Sequence, residues 1–480
     1  MPFFRFAMNT AAFPISLPME KTVAECLSGG WLTVGAWMNT GSSVPFCIGM
    51  EIALVFGKHQ EGDFRMKNAF AYGMYLLYCA VVALSMALMS TAAGVYYIRT
   101  VEMDAFQLLM TGFALELSVF LFEIPTGVVA DLYSRKRSMA IGLLMVGCGF
   151  LLQGVVPLFV AVLAAQVLWG VGYTFLSGAD QAWIADELKT KRLEGVFLRG
   201  TQIGQMFSLV GMLAGVLLAN VALNLPLILS GLLLIGLSPV AALAFPETGF
   251  APSPARRHNP WRSAWDTFKT GLWTMRRSPL LKAALLISLL TGLYSEGFDR
   301  LWTLHLLENV TLPGIGNLNE VVWIGLINAG ALVMNILAVE GIRRRLERTG
   351  RLEKVWVLLM LNGLLVLAIV AFALAGEWWI ALASYWAAAV LRKTNEPIYS
   401  AWLNEQIRDS RRRATILSTQ GQVNSLGEIF GGPLVGAVVW KGTVSAGLIA
   451  SGVILAPVVV LYLLLWRKGA VGGEISSRSA

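Results

Sequence analysis

Eight charged side chains stand inside stretches that are otherwise apolar: Glu116, Asp180, Glu296, Asp299, Arg300, Arg392, Glu396 and Glu428. At the centre of a bilayer such a charge costs roughly 3 kcal/mol or more, so it faces a cavity or a partner. Glu116 precedes Glu123 by two helical turns, which puts both on one face. It reads as a site for a proton or a cation, or as a neutral acid hydrogen-bonded to a neighbouring helix. Glu296 and Arg300 are one turn apart and can pair, and Asp299 neighbours Glu296 at i+3. A pair plus one extra acid leaves a group able to exchange a proton; a fixed ionic network is the alternative. Arg392 and Glu396 are also one turn apart, beside Lys393 and before Pro397, which is expected to kink the helix. Tyr385 and Tyr399 fall near the same face. Arg392 suits an anion or tunes a carboxylate, or it pairs with Glu396 or snorkels to the surface.

Asp180 belongs to Ser177–Gln181, where it reads as a candidate for proton or substrate coupling or as part of a gate network with Asp186 and Arg137. Glu428 follows Gly421 and Asn424 on one face and precedes Gly432, a pattern that fits close helix packing or a polar cavity wall. Gln202, Gln205, Ser208, Asn328 and Asn335 fit cavity lining and helix–helix hydrogen bonding equally. Met86 and Met89 suit an adaptable pocket or ordinary packing.

The elements that must carry these groups are membrane helices. The chain has 480 residues, 56% hydrophobic and 14% charged, against about 25% charged in soluble proteins. From about residue 69 it reads as twelve apolar segments of bilayer-spanning length. The first six run near Ala69–Tyr97, Ala105–Ala130, Met139–Leu158, Phe159–Ile184, Gly195–Asn220 and Leu223–Phe245. The second six run near Leu280–Leu304, Val321–Val339, Lys354–Leu374, Trp378–Ala401, Ala414–Trp440 and Thr443–Leu465. The cysteines and histidines show no metal-binding spacing, and no phosphate-binding loop of the ATPase type is present. No cofactor is expected. The net charge of +8 is no argument for nucleic acid, because the cations are sorted by loop.

Basic residues follow every even-numbered segment: Arg135–Arg137; Lys189, Lys191 and Arg192; Arg256 to Arg277 in the central linker; Arg343 to Arg351; Arg408 to Arg413; Arg467 and Lys468. The alternate loops hold little beyond Arg99 and Lys441. The even segments therefore end at the cytoplasm, and both ends of the twelve-segment core are cytoplasmic. Trp261, Trp265, Phe268 and Trp273 alternate with basic residues in the linker, which reads as an amphipathic helix on an anionic leaflet or as a solvated tether. Five blocks are expected. They are an N-terminal extension (1–65, poorly ordered), a first half (66–245), a linker (246–279), a second half (280–468) and a cytoplasmic tail (469–480). Met66 would make a sensible start of translation, a point that N-terminal sequencing of the native protein tests. The stretch AWIADELKTKRLEGVFLRGTQIGQ from Ala182 is echoed by AWLNEQIRDSRRRATILSTQGQ from Ala401. The halves are therefore expected to be repeats, with a binding site between them near the midplane.

The stretch FEIPTGVVADLYSRKRS, Phe122–Ser138, turns an apolar helix into a tight basic loop. It resembles the signature loop of the major facilitator superfamily, in the drug-efflux-like branch. FPETGF at Phe245–Phe250, EGFDRLW at Glu296–Trp302 and the run from Pro397 to Pro433 add to the likeness. The resemblance implies an all-α membrane fold of twelve helices in two pseudo-symmetric six-helix halves. It implies an inner-gate signature of Glu123, Pro125, Gly127, Asp131, Arg135, Arg137 and Asp186. Asp131 would face the helix start near Ala414–Ile416, stabilised by the positive end of that helix, and Arg135 would pair with Asp186. Three departures stand out: Ser134 replaces the usual loop glycine, Gln166 stands where the fourth helix normally has Arg, and the fifth lacks the antiporter Gly-Pro. They put proton antiport in question.

The expected function is secondary active transport by alternating access, proton-coupled efflux of amphipathic or drug-like molecules. Import or export of one metabolite is the alternative, and a non-transporting receptor or assembly factor on the same scaffold is the reading from another class. No enzymatic motif is found. The expected partners are a small-molecule substrate, protons and the lipid bilayer. The expected setting is the inner membrane of a bacterium, as a monomer.

Overall fold

In lipid, an apolar run can satisfy its own backbone only as a helix or a closed barrel, and these runs form helices. The computed structural model describes residues 62–189, 193–250, 260–276, 278–313, 319–346, 351–407 and 410–478. Fourteen helices lie among the described residues. The first half comprises α1 (Gly62–Arg99), α2 (Ala105–Leu132), α3 (Arg135–Val155), α4 (Phe159–Leu176), α5 (Ala179–Leu188), α6 (Leu193–Ala219) and α7 (Leu225–Ala244). Next comes α8 (Pro260–Arg276), in the linker. The second half comprises α9 (Pro279–Asn309), α10 (Glu320–Leu346), α11 (Arg351–Leu374), α12 (Trp378–Gln406), α13 (Ser410–Lys441) and α14 (Val444–Arg478). The expected extension over residues 1–65 lies outside the described residues up to Gln60 and Glu61, and α1 starts at Gly62, earlier than the apolar pattern suggested.

The same pairings recur in both halves. α1 packs on α6 as α9 packs on α13; α3 packs on α7 as α11 packs on α14. Likewise α3 meets α4 as α11 meets α12, and α2 meets α4 as α10 meets α12. The repeat read from the two Ala-Trp stretches is thus a repeat of packing as well. Among the described residues, ten helices are long and apolar enough to span a membrane. The other two expected spans fall on α10, whose apolar part runs Glu320–Asn335, and on α12. α12 carries Arg392, Lys393 and Glu396 within its length, which lowers its hydropathy, and it continues without a break through Pro397. Large apolar side chains such as Leu213 (67%) and Leu243 (83%) point outward. Such a surface suits lipid, where it meets no water.

Local signals set the helix ends. Asp104 caps α2 by accepting the Gln107 N–H, and the Gln107 side chain returns the bond to the Asp104 N–H. Ser134 caps α3. The fourth apolar segment, expected as one helix, is two: α4 ends at Leu176, and Gly178 adopts φ +74° before α5 begins. An L-residue with a side chain pays about 1 kcal/mol or more for that left-handed conformation. A methyl group at Gly178 would meet no atom within 4 Å. Gly178→Ala is therefore expected to lower stability by about 1 kcal/mol through the backbone alone, read as a fall in the thermal-unfolding midpoint; an unchanged midpoint would contradict the left-handed break.

Candidate functional site

At the end of the first half that carries the basic loop, a polar knot ties α3, α5 and the residues after α7. The Arg135 guanidinium pairs with Asp186 and donates to the Ala182 carbonyl at 2.6 Å. It also lies 5.9 Å from the Phe250 ring centre, while Asp131 stands 4.0 Å from its Nη2. Ser134, at the place of the usual glycine, accepts the Arg137 N–H and donates its hydroxyl to Glu247 Oε2 at 2.6 Å. Glu247 Oε1 accepts the Lys136 N–H. The FPETGF stretch supplies the rest. Trp183 donates its indole N–H to the Pro246 carbonyl and stacks on Phe245 at 4.8 Å, and Glu187 accepts from the Thr248 hydroxyl and the Gly249 N–H. Arg137 and Glu123 are exposed, Pro125 lies inside α2, and no atom approaches within 4 Å of where a Gly127 Cβ would be. The start of α13, where resemblance places Asp131, is met by α8: a Cβ at Gly271 would touch Thr415 and Thr419.

The second constellation lies midway along the helices, between the halves. Arg300 Nε donates to Glu296 Oε2 at 3.3 Å, both on α9. Glu116 of α2, 5% exposed, acts electrostatically on both groups from the opposite half. The approach is close because α2 carries Gly112 one turn before Glu116. A methyl group there would overlap Glu296 and lie 2.7 Å from Arg300 Nε. With both glutamates ionised this triad carries one negative charge in excess. In this arrangement Arg300 serves as the shared counter-charge of both carboxylates.

Beside the triad, Arg392 of α12 grips Asp299 of α9 with two hydrogen bonds, at 2.5 and 2.8 Å. The guanidinium rests over Tyr294 and Phe298, 5.6 and 5.4 Å from their ring centres. Tyr385 stacks on Trp302 at 4.6 Å and donates to Asn328 Oδ1 at 3.3 Å. Two sequence expectations change here. The partner of Arg392 is Asp299, not Glu396, which is exposed. Asp299 is consequently not the extra acid beside the Glu296–Arg300 pair; that place belongs to Glu116.

A cavity of about 70 Å³, room for several waters, opens between the halves. Asp299, Arg300, Tyr97, Gln166, Trp169, Met86 and Met89 are among its walls. Gln166 donates to the Tyr97 hydroxyl at 3.1 Å, and Tyr97 donates to Gln153 Oε1 at 2.7 Å. Arg300 of the second half lies within electrostatic reach of Tyr97. It thus brings a cation to the region where α4 itself offers only Gln166.

The ends of the helices away from the basic loops join the halves. Arg99 Nη2 and Glu320 pair at 2.7 Å, and Asn319 donates to Asn220. Phe106 meets Trp440 edge to face at 5.2 Å. The remaining candidates are dispersed. Asp180 faces Tyr75, Tyr78 and Cys79 of α1. Glu428 accepts from Asn424 at 3.0 Å; Gln202 and Gln205 are exposed on α6. The sequence reading missed Tyr97, Gln153 and the rings around Arg392. Their signal was present as polar and aromatic residues at helical spacing, but pairing across helices is not written in spacing. Arg99 stood out as a cation in loops that otherwise hold few basic residues, and its partner Glu320 opens α10 of the other half.

The Ser134 hydroxyl bonds a part-buried carboxylate, and hydrogen bonds to charged groups are stronger than neutral ones. Ser134→Ala and Glu247→Ala are each expected to lower stability by about 1.5–3 kcal/mol. The double variant should lose clearly less than the sum, as read by unfolding in detergent. Strict additivity would show that the two groups do not interact.

Three comparisons place this arrangement among known proteins. The sequence model of the Major Facilitator Superfamily matches residues 69–352. The chain is 24% identical over 149 residues to the uncharacterized MFS-type transporter YxaM of Bacillus subtilis (strain 168), a match spanning 30% of this chain and 37% of that relative's length. The crystal structure of the nucleoside transporter NupG superposes with a TM-score of 0.64 at 15% identity, over 83% of this chain and 98% of that one. A peptide transporter POT in complex with sulfate gives 0.64 at 14% identity, over 85% and 98%. At such identities the structural likeness is one of fold.

Proposed function

The chain belongs to the major facilitator superfamily, and from that membership we propose that it is a secondary active transporter driven by protons, exporting amphipathic or drug-like molecules. The observation that carries the reading is the triad of Glu116, Glu296 and Arg300, split between the halves and set beside a cavity. In the proposed cycle the basic-loop end is cytoplasmic. In that cycle this is the state closed to the outside, a reading supported by the Arg99–Glu320 and Phe106–Trp440 contacts between the far ends.

Opening the far side moves α2 away from α9. An ionised Glu116 would then lose Arg300, and Arg300 would keep Glu296 alone. Taking up a proton lowers the cost of that separation, because a neutral acid needs no counter-ion. Returning to the closed arrangement restores Arg300 to Glu116 and favours release of the proton. A substrate is coupled to the cycle if its affinity differs between the two states. Asp131, near Arg135 in this state, would reach the start of α13 in the other.

A second reading, movement of one polar metabolite, is favoured by the hydrogen-bonded pair of Tyr97 and Gln166 in the cavity wall. The non-transporting reading would be favoured by Glu116, Glu296 and Arg300 all pointing at packed helices with no central pocket. Arg300 lines the cavity instead.

Proton flux in proteoliposomes under an imposed pH gradient tests the proposal, across amphipathic cations, neutral drugs and polar metabolites. Substrate-dependent flux is expected in the wild type and is expected to vanish in Glu116→Gln and Glu296→Gln. Flux that survives in both variants would remove the triad from coupling. Response only to polar metabolites would select the second reading, and no flux from folded protein with any compound would contradict the proton-driven one.

A further inference from the structure

The linker helix α8 presents two unlike faces. Phe268, Gly271, Leu272 and Met275 recur at helical spacing and face inward; Met275 is fully buried, and Gly271 fits against Thr415 and Thr419 of α13. α8 also packs on α2 of the first half and on α9 of the second. On the other side Trp265, Lys269, Trp273 and Arg276 form one outward stripe, with Trp265 55% and Trp273 57% exposed. Lys269 Nζ sits 5.3 Å from the Trp265 ring centre.

Large indole rings at a surface are costly in water. They are at home in the interfacial layer of a bilayer, with an apolar body inward and an N–H toward the headgroups. Cations interleaved with them match the negative potential of an anionic leaflet. The stripe stands beside α9 and α13, at the helix ends where the basic residues collect. We propose that the outward stripe of α8 docks on anionic lipid headgroups on the basic-loop side of the bilayer. Because the inward face of α8 touches α2 and α13 together, lipid bound to the stripe bears on how those two helices approach each other. The inference rests on membrane embedding alone, so it stands or falls separately from proton coupling.

Tryptophan quenching by brominated lipid reads the contact directly. Full-length protein is reconstituted in phosphatidylcholine bilayers with brominated phosphatidylglycerol, or with brominated phosphatidylcholine at the same bromine content. The emission difference between wild type and Trp265→Phe/Trp273→Phe isolates the two rings. Brominated phosphatidylglycerol is expected to quench that difference more strongly. The preference should weaken with added salt, and excess inorganic phosphate at constant ionic strength should leave it intact. Each basic side chain near the surface is worth about a fivefold preference. Lys269→Glu/Arg276→Glu should abolish it, and Lys269→Gln/Arg276→Gln should reduce it, in proteins whose unfolding midpoint matches wild type. Equal quenching by the two lipids, no quenching by either, loss of the preference to phosphate, or its survival in the charge-reversed variant would overturn the proposal.

Discussion

One guanidinium between two carboxylates from opposite halves is the constraint on which the rest turns. Arg300 is largely buried, 13% of its side chain exposed and facing the cavity, so a counter-charge lowers its cost in every conformation the protein visits. Glu296 lies on the same helix and travels with it. Glu116 lies across the interface and does not. A relative motion of the halves therefore changes the charge balance of the triad, whereas the Arg392–Asp299 pair moves as a unit within the second half. Gly112 is what allows the two halves to come this close, since any side chain there would occupy the space of the Arg300 and Glu296 side chains.

For such a contact to act as a switch, each half must be stiff compared with the interface. The knot around Arg135, Glu247 and Glu187 gives the first half that stiffness at the basic end, joining α3, α5 and the residues after α7 through part-buried hydrogen bonds. The aromatic bed of Tyr294, Phe298, Trp302 and Tyr385 does the same around Arg392 in the second half. The seam at the far end is built from an exposed Arg–Glu pair, an Asn319–Asn220 hydrogen bond, an edge-to-face ring contact and the packing of Gly432 and Gly436 of α13 on α2. Exposed ion pairs contribute about 0–1 kcal/mol, so the Arg99–Glu320 pair by itself adds little to holding this seam shut.

Much of the fold was legible because membrane helices announce themselves by length and by the cations that end them. The repeat was visible in the two Ala-Trp stretches, and the pairings of α1 with α6 and of α9 with α13 follow it. Within one helix, spacing was a sound guide: Glu296 and Arg300 do pair. Between helices it was not. Spacing offered Glu396 on its own helix as one possible partner for Arg392, whereas the bidentate geometry is supplied by Asp299 on α9. Ser134 was noted as a departure from the family pattern; in the folded chain it caps α3 and binds Glu247, work a glycine has no side chain to perform. The break between α4 and α5 hid in an apolar stretch because only the backbone at Gly178 betrays it.

The central claim is that protonation of the Glu116–Glu296–Arg300 triad decides whether the far end is closed. Spin labels at Val221 and Thr443, exposed positions at that end on opposite halves, would report the separation by pulsed electron resonance. The account predicts that acidification shifts the distance distribution to longer values, that Glu116→Gln shows the longer distances without acidification, and that Glu396→Gln behaves as the wild type. A distribution that ignores both pH and the Glu116 substitution would contradict it.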